Sequence, residues 1–202
     1  MRKIAALVFP GFELLDLFGP LQMFGMMKND FRMQIVAQSK SAVESNAGPQ
    51  VFAEADFEDA IDYDLILIPG GMGARQEINN IRLIDWIVTA AGRAELTMSV
   101  CTGSALLAKS GVLDGRRATT NKMAFDWVSS QSTAVDWQKQ ARWVEDGTFY
   151  TSSGVSAGVD MSLAVIARLH GKDQARKVAT WSEYEWHEEA GRDPFAQIHG
   201  LV

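Results

Sequence analysis

The sequence predicts an α/β fold, a mostly parallel sheet with helices on both faces. Short apolar runs recur along the 202 residues: "KIAALVF" (Lys3–Phe9), "FRMQIVAQ" (Phe31–Gln38), "DLILIPGG" (Asp64–Gly71) and "ELTMSVC" (Glu95–Cys101). They lack polar alternation, the mark of strands covered on both faces, as parallel sheets require. Segments of helical periodicity separate them, and alternation of the two element types implies a layered α/β sandwich.

Taken in order, Lys3–Phe9 is a buried strand ended by Pro10-Gly11. It could be mistaken for an export signal, but the run breaks at that turn and meets Glu13 and Asp16 soon after, so it reads as a strand. "FELLDLFGPLQMFGMMK" (Phe12–Lys28) has helical spacing, which Gly19-Pro20 should bend or reset. Met23, Met26 and Met27 in this segment suit a core, a dimer contact or a substrate pocket. Phe31–Gln38 is the second strand, and "GPQVFAEADFEDA" (Gly48–Ala60) an extended piece followed by a loop or helical turn.

Asp64–Gly71 is the third strand, closed by Pro-Gly-Gly. "NNIRLIDWIVTAAGR" (Asn79–Arg93) is an amphipathic helix with Ile81, Ile84, Val88 and Ala91 on one side. "ELTMSVC" enters the central strand and "TGSALLAKSG" (Thr102–Gly111) leaves it as a helix. Asp146-Gly147 sits between two strand-like arms, a hairpin signal. "SAGVDMSLAVIARLHG" and "KDQARKVATWSEYEWHEEAG" read as two closing helices, the second running to Gly191. No repeat or linker interrupts this order, so the chain reads as one domain over 1–202.

Composition narrows the function. Hydrophobic residues make up 47% and charged residues 22%, with a net charge of −6 and the Lys and Arg scattered. Nucleic-acid binding needs a concentrated basic face, and none is visible. No apolar run approaches the roughly 18 to 20 residues of a membrane span. No His, Cys, Asp or Glu cluster has metal-ligand spacing, and "GGMG" (Gly70–Gly73) lacks the Lys-Ser/Thr of a phosphate loop, so neither metal nor cofactor is expected. The single cysteine fits a reducing compartment, and a cytoplasmic location follows as the default.

That cysteine, Cys101, stands where an apolar strand meets a helix of small residues. Amides at a helix N-terminus favour thiolate over thiol, so the position suits a nucleophile rather than a buried structural cysteine. Gly103 and Ser104 keep the strand-to-helix turn small. The turns at Pro10-Gly11, Gly70-Gly71 and Cys101-Thr102 all follow strands, so they converge on the carboxyl rim of the sheet, where such folds collect their chemistry.

A cysteine nucleophile needs a proton acceptor. Of the three histidines, His170 ends a helix before Gly171 and reads as a cap, and His199 lies in a solvated tail. His187 precedes Glu188-Glu189, but in a helix residues two apart do not share a face, which disfavours a His187–Glu189 pair. Asp16 is the stronger candidate. It lies among leucines on the helix after the first strand, and an acid in apolar surroundings has its pKa raised towards a value useful for proton transfer. Glu13 is the exposed acid of the same helix.

"SVCTGSALLAKSGVLDGRRATT", "FPGFELLDLFGP", "DLILIPGG" and "TSSGVSAGVDMSLAVI" together resemble the ThiJ/PfpI superfamily. "EYEWHEEAGRDPFA" adds a likeness to its isonitrile hydratase branch. The resemblance implies a flavodoxin-like sandwich, a homodimer, and a cysteine in a strained elbow. It implies Cys101 as nucleophile, Asp16 as acidic partner, Thr102 bonding in the site through its hydroxyl and N–H, and Gly71 supplying a second backbone donor. Many relatives carry His after "ATT", whereas this chain has Asn121, which disfavours Cys-His proteolysis. The implied reaction is hydration of an isonitrile to an N-substituted formamide through a covalent thioimidate. The alternatives are a glyoxalase or deglycase on small reactive carbonyls, and a redox- or ligand-sensing module. With the sequence ending at Val202, a sensor is expected to act through a partner or by Cys101 oxidation.

Overall fold

A computed structural model describes residues 1–202. The elements run β1 (Arg2–Leu7), α1 (Leu14–Gly25), β2 (Phe31–Ala37), β3 (Ala42–Glu44), β4 (Gln50–Phe52), β5 (Ala55–Asp56) and β6 (Leu65–Ile68). Then follow α2 (Ala74–Glu77), α3 (Ile81–Arg93), β7 (Leu96–Val100), α4 (Gly103–Lys109), β8 (Arg117–Ala118), α5 (Phe125–Ser129) and β9 (Asp136–Trp137). β10 (Trp143–Asp146), β11 (Phe149–Ser152), α6 (Ala157–His170), α7 (Lys172–Trp181) and α8 (Phe195–Ile198) complete the chain.

Seven strands form one sheet in the order β10-β11-β7-β6-β1-β2-β5. All neighbours are parallel except β10 and β11, the hairpin turned by Gly147. α1 and α7 pack on α6, and α2, α3 and α5 pack on α4, giving the two helical layers of a flavodoxin-like sandwich. β6, β7 and β11 are buried throughout, as is β1 from Ile4 to Leu7. Strand order reverses beside β1, so the carboxyl ends of β1, β6 and β7 open on one crevice. No helix is long and apolar enough to cross a membrane.

Some local expectations are corrected. α1 runs as one helix through Gly19-Pro20, which does not reset it. Met23 and Met27 face the core, with Met26 partly buried against it, whereas Leu15 and Phe18 are exposed on the same helix. α3 buries Leu83 and Ile87, and leaves Ile81 and Val88 exposed, so its core face lies beside the one the apolar spacing indicated. β4 falls in the extended piece expected within Gly48–Ala60, whereas β3 and the pair β8–β9 carried no clear strand signal.

The largest departure is at the end. α7 stops at Trp181, and residues 182–194 run without helix. The Glu183 amide bonds to the Thr180 carbonyl and the Tyr184 amide to the Ala179 carbonyl, the paired bonds of a Schellman turn. The left-handed position of that turn falls on Glu183 (φ 49), where glycine is the usual signal. Without a glycine, the sequence read on as helix to Gly191.

Candidate active site

The site is built at the carboxyl ends of β1, β6 and β7. Cys101 follows β7 and adopts φ 57, a left-handed conformation that costs a non-glycine residue about 1–2 kcal/mol. Its backbone is held on both sides. The amide is shared between the Ser152 and Ser153 carbonyls, and the carbonyl accepts the Ser104 and Thr120 hydroxyls at 3.0 and 2.9 Å. Gly103 is required by space, since a Cβ there would lie 2.4 Å from the Ile68 carbonyl oxygen. The elbow therefore turns the sulfur out of the sheet towards the β6 turn and α1.

Asp16, in the first turn of α1, is fully buried. The Gly70 amide donates to its Oδ2 at 2.9 Å, and Oδ1 is buried without a hydrogen-bond partner. Burial pushes this carboxyl up to about 7; Glu13 adds to the rise, and the Gly70 amide and the Cys101 thiol oppose it. Asp16 is thus poised to exchange a proton near neutrality.

The Cys101 thiol moves in the direction opposite to the one its helix-terminal position suggested. Burial raises it most and the Asp16 charge raises it further, while the Thr102 and Val155 amides and the Asn121 side chain pull it down. At a buried cysteine, 7% exposed as a residue, desolvation outweighs the amides of a helix as short as α4. Cys101 rests as a thiol beside a carboxyl group that can take its proton.

Thr102 Oγ1 accepts the Gly71 amide at 2.9 Å and donates to the Gly71 carbonyl at 3.1 Å. Both Gly71 groups are thus engaged with Thr102, and the amide expected to serve substrate instead locks the two turns together. The Thr102 amide faces the sulfur.

The sequence carries no signal for Val155, which at φ 43 is the second strained residue beside Cys101, whereas Asn121, standing where many relatives carry His, is a neighbour of the sulfur. The sequence reading missed the carbonyl clamp of Ser104 and Thr120. A β-branched residue at positive φ has no sequence signature, although the "ATT" that supplies Thr120 was in view.

A cleft of about 230 Å³ opens beside these residues, lined in part by Asn121, Ser153, Val155, Phe195 and His199. His199 is exposed as expected but stands at this cleft rather than in an unattached tail. His170 ends α6 as expected and packs edge-on against Phe31. His187 is exposed on the extended segment, and its neighbour Glu188 is paired with Lys172 and Arg176. No group of three or more His, Cys, Asp or Glu is gathered to hold a metal ion.

The chain is similar to known proteins over most of its length. The chain is 33% identical to isonitrile hydratase of Pseudomonas putida over 182 residues, 90% of this chain and 78% of that one. It is 26% identical over 177 residues to CdhR, an HTH-type transcriptional regulator of Pseudomonas aeruginosa, covering 86% of this chain and 52% of the regulator. Among solved structures, a ThiJ/PfpI family protein from Pseudomonas syringae superposes with a TM-score of 0.83 at 32% identity, over 91% of this chain and 75% of that one. Residues 2–168 match the DJ-1/PfpI family, and the chain belongs to it.

Proposed function

We propose that the protein hydrates isonitriles to N-substituted formamides, with Cys101 as nucleophile and Asp16 as the proton carrier. The observation that carries this reading is the buried, unpartnered Oδ1 of the Asp16 carboxyl group, which burial pushes up to about 7, next to the only cysteine. The similarity to isonitrile hydratase supports the choice of substrate class.

The chemistry follows from a thiol whose resting state is protonated. As Sγ bonds to the terminal carbon of R–N≡C, its proton passes to Asp16 and from there to the same carbon, giving the thioimidate R–N=CH–S–Cys101. Water then adds to that carbon. Asp16 takes one proton from the water and delivers it to nitrogen. Collapse of R–NH–CH(OH)–S–Cys101 breaks the C–S bond, and the hydroxyl proton returns through Asp16 to sulfur. The product is R–NH–CHO, and the thiol is regenerated. Thr102 and Gly71 act as a pair that fixes the turn, with the Thr102 amide stabilising negative charge on sulfur as the bond forms. A homodimer, a cytoplasmic location and a single domain over 1–202 complete the proposal.

The test is kinetic. Wild type and Cys101→Ala are each given a panel of isonitriles and methylglyoxal, following substrate loss and formamide formation. Turnover of isonitriles by wild type alone is the expected result. Methylglyoxal turnover without isonitrile turnover would replace this reading with the glyoxalase one.

A further inference from the structure

We propose that the segment Tyr184–His199 is the substrate-selecting wall of the cleft that Asn121 and Val155 line beside Cys101, with Phe195 and His199 meeting the N-substituent of the isonitrile. This rests on the proposed hydration for the identity of the substrate, but not for the position of the wall.

Asp160, buried in the first turn of α6, gathers the segment. Its Oδ1 accepts the Tyr184 hydroxyl and the His187 amide, each at 3.0 Å, and its backbone carbonyl accepts the Trp186 indole at 3.1 Å. The other carboxylate oxygen takes Arg142 Nε at 2.6 Å. The same arginine lies 3.8 Å from Asp193, and its amide donates to the Ala190 carbonyl at 2.7 Å. The Asp193 amide reaches the Gln140 carbonyl at 2.7 Å. A non-helical stretch is thereby fastened along its length to the body of the protein.

What this fastening presents is Phe195 and His199, on the same cleft as Asn121 and Val155. Asn121 and the Val155 amide are themselves neighbours of the Cys101 sulfur. Phe195 is 48% exposed, so core packing does not account for its place. An isonitrile has a small dipolar head, which must reach Cys101, and an uncharged substituent, which must lie outward from it. Phe195, as a bulky side chain on the wall of that cleft, limits the size of the substituent that fits.

The test uses size discrimination in two independent readouts. The first is the ratio of kcat/KM for benzyl isonitrile to that for methyl isonitrile. The second is the ratio of Cys101 alkylation rates by N-benzyl iodoacetamide and iodoacetamide at alkaline pH, read by intact mass, since Cys101 is the only thiol. Phe195→Ala and His199→Ala should raise both ratios, Phe195→Ala by about tenfold, the scale of pocket-size discrimination, and Phe195→Trp should lower them. Shifted alkylation ratios with no isonitrile turnover by wild type would retain the wall and retire the hydratase reading. Isonitrile turnover with both ratios unchanged in all three variants would overturn the wall alone, and unchanged alkylation ratios without turnover would overturn both. The substituted side chains are exposed, so folding is not at stake.

Discussion

The Gly70 amide bonds Asp16 Oδ2 at 2.9 Å, and this bond determines which oxygen of the carboxyl group is left for chemistry. Oδ1 stays buried and unpartnered, at a residue whose carboxyl is raised to about 7 by burial. Asp16→Asn keeps an acceptor for Gly70 but cannot carry a proton. Isonitrile turnover should fall by at least about 100-fold, the scale of general acid-base catalysis, while binding of a formamide product changes little. A near-normal rate would move proton transfer to another group.

The same carboxyl makes stability depend on pH. Its folded pKa lies above the ordinary value of 3.8, so between about pH 4 and 7 the native state holds a proton that the unfolded chain has released. Stability should therefore fall as pH rises through that window and level off above it. Asp16→Asn removes the effect. Urea melts should show the variant equal to wild type near pH 4 and more stable at pH 8, by a few kcal/mol. Equal stability at both pH values would mean that Asp16 is not desolvated in the native state.

Gly70 itself admits no side chain. A Cβ there would lie 2.5 Å from the Thr102 amide nitrogen, 2.6 Å from Thr102 Oγ1 and 2.9 Å from Asp16 Oδ2. Gly70→Ala must displace either the elbow or the carboxylate, so turnover should be lost together with about 1–3 kcal/mol of stability. Gly92→Ala, where the added Cβ meets nothing within 4 Å, is the matched control.

These two residues show what the sequence makes visible. The runs ending at Gly71 and Cys101 are apolar, short and closed by turn residues, and such strands in a parallel sheet must end on a common rim. The convergence of the Gly70-Gly71 and Cys101-Thr102 turns was legible for that reason, and Asp16 from its apolar surroundings together with the family resemblance. The direction of the thiol was not, because burial depends on how α1, Val155 and Asn121 close over the sulfur, and no local pattern encodes that closure. The Arg142–Asp160 pair was equally hidden. Arg142 stands at the start of a hairpin arm and its partner lies 18 residues away in a helix, a pairing that no local pattern encodes. Glu183, a helix stop without glycine, concealed the extended segment that carries Phe195 to the cleft.

Asn121 does two separable things. Its Oδ1 accepts the Ala124 amide at 3.0 Å, and its side chain lowers the Cys101 thiol. Asn121→Ala loses both, so alkylation of Cys101 should shift to higher pH, with a drop of about 0.5–2 kcal/mol in stability for the lost local bond. Asn121→Asp keeps the local acceptor but places a negative charge by the sulfur, so alkylation should shift further up in pH with less loss of stability. A pH–rate profile unchanged in both variants would show that Asn121 does not act on the thiol.

Arg142 and Asp160 form a pair with side chains 8% and 0% exposed, 2.6 Å apart. Arg82 and Glu58 form one at 2.8 Å with exposures of 56% and 77%. The distances are alike, so solvent decides the difference in energy. Removing Arg142 as Arg142→Met leaves the buried carboxylates of Asp160 and Asp193 without their cation, and should cost about 3–5 kcal/mol. Arg82→Met should cost about 1 kcal/mol or less, since water and salt screen that pair. Denaturant melts at low and high salt would check both, with only the Arg82 pair sensitive to salt. Because Arg142 also fastens residues 190 and 193, Arg142→Met should loosen the wall at Phe195 before the whole protein unfolds, through earlier amide exchange in residues 184–199. Loss of protection at the same denaturant concentration in β7 and in this segment would show that the pair stabilises the whole fold and not the wall in particular.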